Sequence, residues 1–153
     1  NLPDMNAVLG HSQFKRLDSF IERRTSLAMR YQEQLSSIPG ITPLGQANST
    51  AKHSWHLFIV RVDESEAGID RAGFMEALKA RNIGTGIHFR AAHSHQWYRE
   101  HTDAWRAGDL TNTNWNDARI CSIPLFVGMT TTDVDDVVSA IREVVPAAAE
   151  VTT

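Results

Sequence analysis

From Phe14 to Ile38 the apolar residues return every three or four positions, as Phe14, Leu17, Ile21, Ala28, Tyr31, Leu35 and Ile38, with Arg24 taking one position of the stripe. That period puts them along one face of a helix. Met5, Val8 and Leu9 carry the pattern upstream, and Pro3 suits a first turn, where its missing N–H has no intrahelical partner in any case. The spacing predicts one helix over residues 3–37, stopped by Pro39 and Gly40. The simplest reading of its stripe is a single core face, and its length leaves room for a partner surface as well.

A helix of that length needs the remaining elements of the chain to pack against it. "WHLFIVRVD" reads as a strand with Leu57, Ile59 and Arg61 on one face and Phe58, Val60 and Val62 on the other. Asp70 is placed to cap a helix that turns Phe74 and Leu78 inward and stops at Gly84. "TGIHF" has the β-branched and apolar content of a second strand. "WNDARICSIPLF" reads as a helical turn entering a third strand, at whose edge or end Pro124 belongs. Between these two lies a long polar excursion with weak helical signals over residues 96–100. Thr131 or Thr132 caps the last helix, whose stripe is Val134, Val137, Val138 and Ile141. The expected architecture is α+β, with a long N-terminal helix and further helices packed on one side of a small, mainly antiparallel sheet. One domain covers residues 1–145, and residues 146–153 form a frayed tail.

The 153 residues, 42% hydrophobic and 22% charged, supply a single core of ordinary globular composition. A net charge of −3 gives no pull toward nucleic acid or an anionic membrane. No stretch approaches the roughly 18 apolar residues of a membrane span, and no secretory leader opens the chain. Cys121 is the only cysteine and sits in an apolar run, as a buried inert thiol does. A cytoplasmic location is expected. The chain begins at Asn1 without a methionine, so a piece of something longer is expected.

The stretch with most chemistry is "IGTGIHFRAAHSH", residues 83–95, with two glycines, Arg90 and three histidines. A metal site is not expected, because the lone cysteine falls in a strand and neither HExxH nor CxxC occurs. An anion fits better. Glycines beside a strand end let backbone N–H groups approach a ligand, and the Arg90 guanidinium offers a planar fork for carboxylate or phosphate oxygens. His88 would then bond a sugar or phosphate oxygen. The competing reading makes Gly84 a helix stop, Gly86 a strand start and His88 a hydrogen-bonded core residue, and the residues alone leave both open. The three lysines, Lys15, Lys52 and Lys79, lie outside any apolar context that would lower their pKa for imine formation. At the other end, Asn1 stands beside a helix start, where unpaired N–H groups and the macrodipole favour a phosphate.

Taken together, "NLPDMNAVLG", "FKRLDSFIERR", "HSWHLFIVRVD", "IGTGIHFRAAH" and "ICSIPLFVGMTTTDVD" resemble, in order, the C-terminal part of the DegT/StrS-type sugar aminotransferases. The resemblance implies pyridoxal phosphate chemistry on nucleotide-linked keto sugars, with glutamate as amino donor and 2-oxoglutarate as its product. It also implies a homodimer with active sites at the subunit interface. In that family the Schiff-base lysine, the aspartate facing the pyridine nitrogen and the stacking aromatic belong to an N-terminal domain that this chain lacks. Carried over residue by residue, Asn1 corresponds to an asparagine that reaches the neighbouring subunit's cofactor phosphate. His88 and Arg90, with His93 beside them, correspond to the substrate-facing edge of the cleft. No residue of this chain inherits a catalytic role, and the chain alone is expected to be inactive. The alternative is a noncatalytic binding or dimerisation module of the same fold.

Overall fold

A computed structural model describes residues 1–45, 52–101 and 110–145 of the chain. In chain order the elements are α1 (Asp4–Phe14), α2 (Leu17–Leu35), β1 (Ile41–Pro43), β2 (Phe58–Val62), α3 (Glu64–Ala67), α4 (Arg71–Lys79), α5 (Gln96–His101), α6 (Thr111–Arg119), β3 (Ile120–Ile123) and α7 (Thr131–Val144). The three strands form one antiparallel sheet in the order β1-β2-β3. The α+β architecture agrees with the expectation.

β2 is central, and its alternation decides where the core lies. Phe58, Val60 and Val62 are buried, while Ile59 and Arg61 are only half-buried. The register sets Phe58 opposite Ile123 and Val60 opposite Cys121, so β3 adds these two to the same apolar face. Against it pack Leu27, Tyr31 and Leu35 of α2, Phe74 and Leu78 of α4, and Val134, Val138 and Ile141 of α7. Tyr31 lies fully buried with its ring 4.9 Å from Phe58, and its hydroxyl donates to the Pro124 carbonyl at 2.9 Å. Burial pushes its phenol up from the ordinary tyrosine pKa. On the outer side of this layer Asp135 of α7 accepts hydrogen bonds from Nε and Nη2 of Arg30, each at 2.7 Å, and from the Gln34 amide at 2.6 Å. The Arg30 and Gln34 bonds hold its carboxyl at about 2, below the usual carboxylate range.

The sequence predicts one continuous helix over residues 3–37, and the structure breaks it in two. Arg16 takes φ −106° and ψ 1°, and its N–H bonds the Gln13 carbonyl three residues back. Neither glycine nor proline marks this break. The two halves differ in packing: α1 buries no residue, and Met5, Val8, Leu9 and Phe14 are all exposed, whereas the buried stripe begins at Leu27. The upstream half of the apolar stripe therefore lies outside this core.

Three smaller expectations also shift. The stop after α4 is Asn82, not Gly84: Asn82 sits at φ +62°, its N–H bonds Lys79, and Ile83 N–H bonds back to Leu78. The cap of α7 is Thr130, which exchanges hydrogen bonds with Asp133 in a capping box. "TGIHF" is not a strand, because Gly86 makes a single bridge to Ser122. Extending that ladder would need the N–H groups of residues 124 and 120. Pro124 has none, and Ile120 spends its own on Asn116 at the end of α6.

Candidate ligand-binding edge

The lone bridge sets the geometry of the candidate site. Gly86 and Ser122 exchange both backbone hydrogen bonds, at 3.1 and 2.9 Å, which fastens the segment after α4 to the free edge of β3. Ser122 pairs with Ile59 across the sheet, so its side chain lies on the face opposite the Phe58–Val60 core. There its hydroxyl meets His88 Nε2 at 2.6 Å and the Gly86 carbonyl at 3.3 Å. A Cβ on Gly86 would lie 3.3 Å from Ser122 Oγ and 3.5 Å from His88 Nε2, so glycine keeps this corner open for the imidazole.

Ser122 has one hydroxyl proton to place. Given to Gly86, it makes Nε2 the protonated nitrogen of His88 and leaves Nδ1 an acceptor; given to Nε2, it makes Nδ1 a donor. Either way the ring is pinned by one nitrogen, and the other has no hydrogen-bond partner among the described residues. His88 is an exposed residue, not the core histidine of the competing reading. Ile59, Ile87, Phe89 and Cys121 join it around a cleft of about 130 Å³.

Beyond His88 the chain is moored to α6. The Ala91 N–H donates to Asp117 Oδ1 at 2.7 Å, and His93 Nε2 meets Asn114 Oδ1 at 2.6 Å. Arg71 of α4 in turn bonds the Asp117 carbonyl, which ties α6 to the body of the domain. On the same side of the sheet, Arg61 and Arg119 lie over the Trp115 ring with centroid distances of 5.3 and 4.6 Å. α6 thus meets the sheet from the face opposite α2 and α7, where helices on one side only were expected.

The residues singled out in the sequence fall into two groups. His88, Arg90 and His93 occupy one continuous edge. Arg90 is exposed, with no hydrogen bond or ion pair among the described residues. Asn1 is exposed three residues ahead of α1, and no hydrogen bond or ion pair joins it to His88 or Arg90. Sequence reasoning missed Ser122 and Asp117, whose roles arise from the register of β3 and the placing of α6. No local pattern announces them.

Two groups bear on covalent chemistry. Burial pushes the Cys121 thiol up to about 11, the opposite of what an attacking thiolate needs. Native protein at pH 8 is expected to resist iodoacetamide at Cys121 and to label rapidly in denaturant; mass spectrometry showing rapid native labelling would overturn this. Lys52 lies beside Asp18 and Lys79 beside Glu76, and both ammonium groups are more than half exposed. Lys15 is exposed as well. All three lysines lie in solvent and not in the desolvated setting that favours an imine-forming lysine. Among the described residues no three His, Cys, Asp or Glu side chains converge as metal ligands, and no helix is long and apolar enough to cross a membrane. The expected frayed tail, residues 146–153, lies outside the described residues.

The model of the DegT/DnrJ/EryC1/StrS aminotransferase family matches residues 1–142. Among solved structures the chain is similar to DesV of S. venezuelae, determined in complex with a ketimine intermediate, at 27% identity and TM-score 0.80, covering 95% of this chain and 37% of that one. DesI, determined in the presence of its TDP-sugar product, matches at 25% identity and TM-score 0.80, over 90% of this chain and 34% of that one. The aminotransferase TlmJ of Streptoalloteichus hindustanus shares the fold at 24% identity and TM-score 0.79, over 92% of this chain and 36% of that one. The chain therefore spans little more than a third of the length of these structures.

Proposed function

The chain belongs to the DegT/DnrJ/EryC1/StrS aminotransferase family, and from that premise we propose that it is the C-terminal small domain, residues 1–145, of a pyridoxal-phosphate-dependent sugar aminotransferase. In the longer protein an amino group passes from glutamate to a nucleotide-linked 4-keto sugar of the kind that leads to UDP-4-amino-4-deoxy-L-arabinose, a building block for lipopolysaccharide modification. Pyridoxal phosphate, held by the N-terminal domain, supplies the carriage of that amino group in a cytoplasmic homodimer. The family match over residues 1–142 carries the reading.

This chain's own contribution is recognition. Arg90 holds an anionic group, the donor carboxylate or a substrate phosphate, through a planar pair of N–H donors. His88, fixed on Ser122, hydrogen-bonds the substrate with its second ring nitrogen. His93, placed by Asn114, closes the same side of the cleft. Asn1 serves the neighbouring subunit's cofactor phosphate, together with the unpaired N–H groups at the start of α1. Positioning lowers the barrier by fixing the reacting groups before the step, so none of these residues needs to take a proton.

The test is amino transfer by the full-length protein. Turnover with glutamate and a UDP-4-keto sugar is expected, and Arg90→Ala should lower kcat/KM by about ten- to a hundredfold, as for loss of a charge-assisted hydrogen bond. Absence of any transamination would refute the assignment, and unchanged kinetics in the variant would remove Arg90 from the site.

A further inference from the structure

Ser122 is 7% exposed, and among the described residues it is the only serine, threonine, amide or charged residue that is buried. A hydroxyl taken out of water costs free energy unless it is bonded, whereas alanine would fill the same place in β3 with nothing to satisfy. The register sets Ser122 opposite Ile59, on the face away from the Phe58–Val60 core, where the His88 imidazole meets it.

Geometry decides where the hydroxyl proton goes. The Gly86 carbonyl is 3.3 Å from Oγ, long for an O–H donor, and it already accepts the Ser122 N–H at 2.9 Å. His88 Nε2 is 2.6 Å from Oγ, inside the span of a hydroxyl donor and shorter than an N–H donor ordinarily reaches. The hydroxyl therefore donates to Nε2. A neutral imidazole that accepts at Nε2 carries its proton on Nδ1. Nδ1 has no hydrogen-bond partner among the described residues.

We propose that Ser122 is a positioning residue that fixes His88 as a hydrogen-bond donor at Nδ1, and so selects a ligand oxygen over an ammonium group at that place. The imidazole of free histidine favours the opposite form, with the proton on Nε2, so the buried hydroxyl reverses an intrinsic preference. For its function the assignment rests on the reading of His88 as substrate-facing. The atom that His88 meets is then a carbonyl, carboxylate or phosphate oxygen, and not the amine of the donor or of the product.

Long-range proton–nitrogen correlation spectra of the 153-residue chain test it. At about pH 8.5, above the range in which an ordinary imidazole titrates, they report which ring nitrogen of each histidine carries the proton, and His88→Gln identifies the His88 signals. In the wild type the proton should sit on Nδ1. Ser122→Ala should move it mainly to Nε2 with the amide spectrum still that of the folded domain, and Ser122→Thr, which keeps the hydroxyl, should hold it on Nδ1. In the full-length protein Ser122→Ala should lower kcat/KM about tenfold, with Ser122→Thr restoring most of the loss. A wild-type His88 protonated on Nε2, or a tautomer or kcat/KM unchanged in Ser122→Ala, would overturn the proposal. Absence of any transamination would instead refute the aminotransferase reading and leave the tautomer standing, because the spectra need no substrate.

Discussion

Replacing Gly40 with alanine is expected to destabilise the domain by about 3 kcal/mol, from overpacking together with the left-handed backbone penalty. The Gly40 backbone sits at φ +72°, and a Cβ built there would lie 2.4 Å from the Ala67 nitrogen and 2.6 Å from its Cβ. Neither neighbour is the loose end of a side chain. Ala67 is buried in α3, and the Gly40 carbonyl is fixed by the Asp63 N–H at 2.8 Å. The turn between α2 and β1 thus locks against the exit of β2, and relief of the clash would pull strand and helix apart. Thermal unfolding should show a fall in Tm of about 6–12 °C, given the usual conversion for a domain of this size. An unchanged Tm would mean that Gly40 and Ala67 are not in contact.

Truncating Phe58 to alanine should cost about 3–5 kcal/mol, the range for removing a buried phenyl group from a closed core. Phe58 is 2% exposed and sits in the central strand between the Tyr31 ring at 4.9 Å and the Trp55 ring at 5.9 Å. The Tyr31 ring is held by α2 and the Trp55 ring is itself buried, so the space left behind cannot close by a small shift. Phe126→Ala provides the comparison, since Phe126 is 56% exposed and should change stability little. Urea denaturation with equal losses for the two variants would contradict a core centred on β2.

Much of this fold is written in residues that act locally. The 2-residue alternation of Phe58, Val60 and Val62, the Asp70 cap and the Val134–Ile141 stripe are all readable because period and capping are short-range effects. What escaped reading depends on distant partners. β1 hides in the turn-rich "ITP" because its three residues become a strand only by pairing with Val60, Arg61 and Val62. The break at Arg16 leaves no mark in the apolar spacing, which runs on through it. Trp55 holds φ +49°, a conformation no propensity assigns to tryptophan, with its N–H on His53 Nδ1 and its indole buried. The candidate site divides in the same way. Arg90 and His88 could be picked out by residue type, but Ser122 and Asp117 acquire their roles only when β3 and α6 bring them to the lip.

That lip hangs from the sheet by a single rung, the reciprocal pair between Gly86 and Ser122, with one imidazole contact beside it. Beyond Arg90 the same segment is tied to α6 through Ala91 and His93, so the residues between the two fastenings can shift with little apolar surface exposed and without disturbing the layers behind them. A ligand that grips both His88 and Arg90 would act as a second fastening. Ligand exchange at this edge would then need only a short segment to move and not the whole domain.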